Sequence, residues 1–279
     1  MSQGEVAFAK INLALHVRAR EPDGYHRLET LFAFARDGDL LTAQPSDRLS
    51  LEVEGPFGAG LSNDDDNLVL RAARAVQAHF GIRDGAALRL DKRLPIASGI
   101  GGGSADAAAA MRLLARLWSL DASDPAFETI AAGLGADVPA CVRSVTVRGE
   151  GRGDRLLAVP ASDLSGTPLL LVNPGVAVPT GPVFREWDGI DRGPLGVGAP
   201  LDVARKGRND LEAPARRLAP VIGEVLDSLE RMEGAVFVRM SGSGATCFTL
   251  FRDERSRAVA AETIRFSAPS WWCFETELR

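Results

Sequence analysis

The clearest chemistry in the chain lies in the run Leu94-Pro95-Ile96-Ala97-Ser98-Gly99-Ile100-Gly101-Gly102-Gly103-Ser104-Ala105-Asp106, followed by alanines at 107–110. Glycine takes positive φ without a steric penalty and lets the backbone approach a ligand closely. Ser104 can cap the helix that the alanines favour. A helix start carries unpaired N–H donors and the positive end of the peptide dipoles, so it attracts phosphate. The run therefore reads as an anion cradle, against the alternative of a flexible loop before a helix. It is not a Walker loop, because no lysine follows the glycines. It is not a dinucleotide fingerprint either: counting from Gly99 or Gly101 puts Ser104 or Asp106 where the third glycine belongs.

A cradle transfers nothing by itself. Phosphoryl transfer also needs a base for the acceptor hydroxyl and positive charge near the moving group. Asp137 lies in the restrained stretch Leu134-Gly135-Ala136-Asp137-Val138-Pro139 and is a candidate base. Lys10 interrupts an apolar, β-like stretch, where a lysine is costly unless it is paired or touches a ligand. Each has a plain alternative: a helix cap for Asp137, and a lysine reaching out from a strand edge for Lys10. Tyr25 and His26 directly follow the turn Pro22-Asp23-Gly24. Tyr25 is the only tyrosine, at an odd place for a core aromatic, although an ordinary exposed turn would also explain it. Ser241-Gly242-Ser243-Gly244-Ala245 is a second glycine turn.

The elements that must position these residues are legible in outline. Residues 6–9 and 11–17 read as two strands flanking Lys10, with further strands at 28–34 and 49–54. Asn67 opens a helix with Leu68, Ala72, Val76 and Phe80 on one stripe, stopped by Gly81. A strand at 87–93 feeds the glycine run, whose helix extends to about residue 120, and a short helix covers 124–132. Strands are expected at 145–148 and 155–159, and a polar junction at 160–167. Beyond it, a strand at 169–172 precedes a long loop over 181–208 with one short helix. One long helix over 209–232, strands at 235–239 and 246–251, a helix at 253–265 and a strand at 271–276 complete the chain. This second half has the β, α, β, β, α, β order of a ferredoxin-like unit.

Composition excludes several classes. The 279 residues carry a net charge of −5, so nothing suggests a polyanion-binding protein, and no nucleic-acid partner is expected. Cys141, Cys247 and Cys273 form neither a CxxC pair nor a metal-ligand spacing. Reduced cysteines, no evident leader and no long apolar run fit a cytoplasmic protein without a membrane partner. No dedicated metal-ligand cluster is legible.

Taken together, Phe8-Ala9-Lys10-Ile11-Asn12-Leu13, the glycine run, the Asp137 stretch and the Ser241 turn occur in the order of one family. From residue 6 to about residue 250 the chain resembles the GHMP kinases: galactokinase, homoserine kinase, mevalonate kinase and their relatives. Asp23-Gly24-Tyr25-His26, and Asn173-Pro174-Gly175 leading to Pro179-Thr180, are most similar to members acting on cytidine diphospho-methylerythritol in non-mevalonate isoprenoid synthesis. The resemblance implies a two-domain α/β (α+β) GHMP kinase fold. An N-terminal ribosomal-S5-domain-2-like ATP domain would span 1–161 and a C-terminal ferredoxin-like domain 162–279.

It also implies roles. Pro95, Ile96, Ala97, Ser98, Gly99, Ile100, Gly101, Gly102, Gly103, Ser104 and Ala105 would wrap the phosphates of ATP, with Mg2+ carried on the nucleotide. Asp137 would be the base toward the acceptor's 2-hydroxyl and Lys10 its cationic partner. Asn12 would lie near the substrate, and Gly242 and Gly244 would border the site. Tyr25 and Phe184 would sandwich cytosine, whose pyrimidine edge His26 would hydrogen-bond. The protein would be a monomer or homodimer. The chain departs from the family pattern in Phe8 for a commoner proline, Ala97-Ser98 for glycines, and Ala105 for a serine, which removes one hydroxyl from the phosphate or metal contacts. Asp106 stands where the family has Asn or Asp. Two rivals remain open: a GHMP kinase for another acceptor, and a non-catalytic nucleotide-binding protein.

Overall fold

The computed structural model describes residues 3–160 and 164–279. The described chain divides into two compact units, each assembled from three stretches. One takes its residues from 1–9, 37–96 and 101–144, the other from 10–36, 97–100 and 145–279. The boundary expected at 161/162 falls on residues outside those described. Strands β1 (Gln3–Arg20) and β2 (His26–Ser46) each contribute residues to both units. What the sequence suggests as two strands around Lys10 is thus one continuous strand, with Lys10 inside it.

In the first unit, β3 (Ser50–Glu54) pairs parallel with β4 (Gly85–Asp91), and β4 pairs antiparallel with the second half of β2. Leu41 faces Leu90 and Ala43 faces Leu88; all four are buried, as period-two alternation requires. Helix α1 (Leu68–Phe80) starts where expected, because the Asn67 side chain accepts the Val69 N–H at 2.9 Å, and it stops at Gly81 with φ 66°.

Helix α2 (Gly102–Leu117) follows the glycine run. Its N-cap is Gly101, at φ 65°, and not Ser104, which lies in the first turn. A glycine can make the left-handed entry itself, so no hydroxyl cap is needed there. From Ala105 to Ala110 every side chain is buried. Small alanines let this helix run through the unit's core beside α1. Arg112 remains on it by donating to Glu5, the Val6 carbonyl and the Cys141 carbonyl, while its guanidinium lies over the Phe8 ring at 5.6 Å. The aromatic at position 8 therefore has a local use. Helices α3 (Ala126–Leu134) and α4 (Val138–Arg143) complete the unit.

In the second unit, the first half of β2 pairs antiparallel with β5 (Val147–Gly151), which pairs with β6 (Arg155–Ala158). Beyond these come β7 (Pro168–Asn173), the short helices α5 (Thr180–Arg185), α6 (Pro200–Lys206) and α7 (Glu212–Leu218), then α8 (Val221–Glu230), β8 (Ala235–Met240), β9 (Cys247–Phe251), α9 (Glu254–Ser267) and β10 (Trp272–Glu277). The four late strands form an antiparallel sheet in the order β10-β7-β9-β8. With α8 and α9 as its helices, this is the ferredoxin-like arrangement that the element order predicts. Its core gathers Leu170, Val172, Ile222, Leu226, Leu229, Phe251 and Ile264 together with Leu15 and Val17 of β1.

Two expectations in this half are corrected. The single helix over 209–232 is broken between α7 and α8, because Ala219 precedes Pro220 and a pre-proline residue is pushed out of the helical region. Ala219 has φ −140° and ψ 84°. The 181–208 stretch holds part of α5 as well as α6, rather than one helix.

Candidate active site

Within the second unit, Lys10 and Asn12 project from the same face of β1, as alternation dictates. Both are buried although polar. The Lys10 ammonium donates to Asn12 Oδ1 at 3.0 Å and lies 5.0 Å from the centre of the Phe32 ring. The Lys10 backbone N–H donates to the Ile100 carbonyl at 3.0 Å, which ties the lysine's strand to the glycine run.

The second glycine turn holds that same run from another direction. Ser241 Oγ donates to the Gly99 carbonyl at 2.9 Å and accepts the Asn12 N–H at 3.2 Å. The Thr246 N–H donates to the Ser98 carbonyl at 3.1 Å. Asn209 Nδ2 donates to the carbonyls of Met240 and Gly242, each at 2.8 Å. Asn173 Nδ2 donates to Thr246 Oγ1 at 2.9 Å, and the Thr180 and Ser243 hydroxyls lie 3.0 Å apart. Gly242 and Gly244 belong to this turn at φ 56° and 83°. A Cβ on Gly99 would lie 2.4 Å from the Ser241 carbonyl oxygen, so only glycine fits there.

The nucleotide-loop candidates divide between the two units. Ala97, Ser98, Gly99 and Ile100 belong to the second. Pro95, Ile96, Gly101, Gly102, Gly103, Ser104 and Ala105 belong to the first. In the first unit Gly101 makes the turn, and Gly102, Gly103 and Ser104 form the opening turn of α2, whose N–H groups have no carbonyl of their own helix to bond. A Cβ added to Gly103 would meet nothing within 4 Å, so this end of the helix is open. An anion fits such a helix start.

Beneath it is a charge cluster that sequence reasoning missed. Lys92 Nζ donates to Asp39 Oδ2 and to Asp106 Oδ2, each at 2.6 Å, with all three side chains buried. Asp39 Oδ1 also accepts the backbone N–H groups of Arg93 and Leu94, which fixes the entry to the run. A Cβ on Gly102 would lie 3.0 Å from Lys92 Nζ. Burial pushes the Asp106 carboxyl up to about 7 against the pull of Lys92, with the Asp39 charge adding to the rise. Burial also opposes the Lys92 charge, but Asp106 and Asp39 together hold its pKa above the usual lysine range. The two carboxylates compete for one ammonium. Asp39 accepts three donors and Asp106 one, with Asp106 Oδ1 left without a hydrogen bond, so the burden of burial falls on Asp106.

Asp137 is half-buried at the N-cap position of α4, but its side chain makes no cap hydrogen bond. The helix-cap alternative for this residue is therefore not realised. In the second unit, Tyr25 is 55% exposed and lies under the Arg152 guanidinium at 3.8 Å. His26 is buried against Phe184, with ring centres 4.9 Å apart, and against Trp187 at 5.8 Å. Arg20 Nε donates to His26 Nε2 at 3.3 Å, so the neutral ring carries its proton on Nδ1. Burial first, and then the Arg20 charge, lower the His26 pKa. His26 and Phe184 are thus brought together, with Trp187 and Arg20 also on His26, while the Tyr25 ring lies against Arg152. A separate cleft of about 200 Å3 in this unit, lined by Leu31, Arg148, Leu195 and Val203, contains none of the predicted residues. Among the described residues, no group of three or more His, Cys, Asp or Glu side chains is arranged to hold a metal ion. None of their helices is long and apolar enough to cross a membrane.

A fold with a ferredoxin-like half, a glycine loop opening a helix and a buried lysine on the adjoining strand is that of a small-molecule kinase. Family models agree: the GHMP kinases N terminal domain matches residues 67–144 and the GHMP kinases C terminal model matches 199–269. The chain belongs to the GHMP kinase family. It is 57% identical to the 4-diphosphocytidyl-2-C-methyl-D-erythritol kinase of Rhizorhabdus wittichii, an alignment covering all of this chain and 96% of the relative. It is 50% identical to the enzyme of the same name from Novosphingobium aromaticivorans, over all of this chain and 94% of that one. A crystal structure of 4-(cytidine 5'-diphospho)-2C-methyl-D-erythritol kinase superposes with a TM-score of 0.80 at 35% identity, covering 99% of both chains. The homoserine kinase of Cytophaga hutchinsonii, at 18% identity and a TM-score of 0.74, shares the fold over 99% of this chain and 95% of its own.

Proposed function

We propose that this chain is an ATP-dependent kinase that phosphorylates the 2-hydroxyl of 4-diphosphocytidyl-2-C-methyl-D-erythritol, in non-mevalonate isoprenoid precursor synthesis in the cytoplasm. Residues 1–161 and 162–279 are read as its two family domains. The run from Pro95 to Ala105 holds the nucleotide phosphates through backbone N–H groups and the dipole of α2. Asp137 accepts the proton of the acceptor hydroxyl, and Lys10 offsets negative charge as the phosphoryl group moves. Asn12 lies beside the substrate, and Tyr25 and Phe184 stack on cytosine, for which ~1–3 kcal/mol per base is typical. The Nδ1–H of His26 suits an acceptor on the pyrimidine edge, and cytosine N3 is an acceptor where uracil N3 carries a proton. Mg2+ is expected with the nucleotide, held largely by phosphate and water.

The observation that carries this reading is the buried Lys10, whose backbone bonds the glycine run and whose ammonium is aimed by Asn12. The test is incubation with ATP and the cytidine diphospho-methylerythritol, followed by ADP release and a new phosphomonoester signal in 31P NMR. Homoserine, mevalonate and a sugar serve as competing acceptors. Turnover on one of these in preference to the cytidine compound would overturn the substrate assignment. ATP binding without turnover on any acceptor would overturn the kinase.

A further inference from the structure

We propose that Thr30 is a positioning residue for this reaction: its hydroxyl fixes the amide of Asn12 so that the amide oxygen faces the Lys10 ammonium. The inference rests on the proposed role of Lys10. An asparagine amide is nearly symmetric in shape, and nothing in its own rotamer decides which end points where. Here both neighbours decide. Thr30 sits on β2 beside β1 and has one hydroxyl proton, which it donates to the Ala14 carbonyl at 2.7 Å. Toward Asn12 its oxygen can therefore only accept, and Asn12 Nδ2 donates to it at 2.7 Å. Asn12 Oδ1 is then turned to Lys10 Nζ at 3.0 Å.

Lys10, Asn12 and Thr30 are 3%, 2% and 1% exposed, so the network has no access to bulk water if one bond is lost. Phe32 follows Thr30 by two residues on the same face of β2 and offers its ring to the same ammonium. The β2 strand thus presents an orienting hydroxyl and an aromatic face to the lysine of β1. Without the hydroxyl, Asn12 Nδ2 has no acceptor at that end. The amide can then rotate and turn its N–H groups toward a cation, which would push the ammonium from its place.

The experiment compares Thr30→Val, which keeps the shape and removes the acceptor, with Thr30→Ser, which restores it, using Lys10→Ala as reference. The expected result is a fall in kcat of about 10–10²-fold for Thr30→Val. KM for ATP and for the cytidine substrate should stay within about 2-fold, and Thr30→Ser should recover most of the loss. If Thr30→Val gives no cooperative melt, Thr30→Ala, which only removes atoms, replaces it with the same expectation. Parent turnover in the valine or alanine variant, or a serine variant as impaired as they are, overturns the positioning role. So does a matched loss in kcat and both KM values. Parent-like turnover in Lys10→Ala overturns the reading of Lys10 instead, which separates the two failures.

Discussion

Asp137 and Asp106 are both carboxylates near helix starts, yet their surroundings set them apart. Asp137 is half-buried and does not cap α4. Its proposed role as base predicts that Asp137→Asn keeps a cooperative melt but lowers turnover by ~10²–10⁴-fold; near-parent kcat would sink the assignment. Asp106 is the reverse, a structural carboxyl buried against Lys92 and Asp39. Burial raises its folded pKa to about 7, well above the usual carboxylate range. The folded state therefore holds this proton more tightly than the unfolded chain. Its contribution to stability is full below about pH 4 and is lost as pH rises toward 7. Asp106→Asn removes that titration. Whatever constant offset the lost ion pair adds, the melting temperature of the variant minus that of the parent should climb between pH 4 and 7 and flatten above. The climb should amount to several degrees, since ~2–4 °C accompanies each kcal/mol in a chain of this size. A difference that stays level from pH 4.5 to 8.5 would refute the raised pKa.

The glycines divide by what surrounds them, and this can be tested at the level of the loop and its helix. Gly99 is at φ 79°, with the Ser241 and Gly244 backbone 2.4 to 2.9 Å from any added Cβ. Gly99→Ala must push apart the run and the second glycine turn, so it should lower the melting temperature by several degrees. Gly103 opens into free space, so Gly103→Ala should melt like the parent. If the opening turn of α2 holds phosphate, that same methyl stands where a ligand must approach. The extra thermal stability that ATP confers on the parent should then shrink in Gly103→Ala. An unchanged ATP response there would remove phosphate from this turn. These elements also mark how far the sequence could be read. Helix α1 carries an Asn cap, a regular apolar stripe and a stop glycine, so local signals sufficed. Breaking 209–232 at Ala219-Pro220 was also written locally, but the helical periodicity on both sides masked it. Lys92 pairs with residues 53 and 14 positions away, and Thr30 meets Asn12 across 18. No periodicity or motif encodes such pairings. The candidate residues were legible because their types are unusual for their positions, whereas the residues that orient them are ordinary threonines, serines and lysines.

At the scale of the molecule, the proposed two-domain division and the compact units do not follow the same cuts. Residues 10–36 precede the proposed boundary by more than a hundred positions, yet they belong to the unit that holds the C-terminal sheet. Leu15 and Val17 lie in the core with Leu170, Val172 and Ile222. The Leu15 N–H donates to the Arg208 carbonyl at 2.8 Å, the Asp210 N–H donates back to the Leu15 carbonyl at 2.9 Å, and Asp210 Oδ2 accepts the Val17 N–H at 2.8 Å. A fragment of residues 162–279 would keep every strand and helix of the ferredoxin-like arrangement while losing this segment. Removing one fully buried leucine or valine side chain from such a core costs about 1.5–3 kcal/mol in transfer alone, and the backbone groups around Asp210 would lose their partners as well. Against a typical net stability of ~5–15 kcal/mol, the loss of several such contacts is decisive. The isolated 162–279 fragment should bind a hydrophobic dye and melt without a cooperative transition, whereas the full chain melts sharply. Adding a peptide of residues 10–36 in excess should restore a cooperative melt in proportion to its concentration. A fragment that melts sharply alone, with no dye binding, would mean that the C-terminal sheet does not depend on β1.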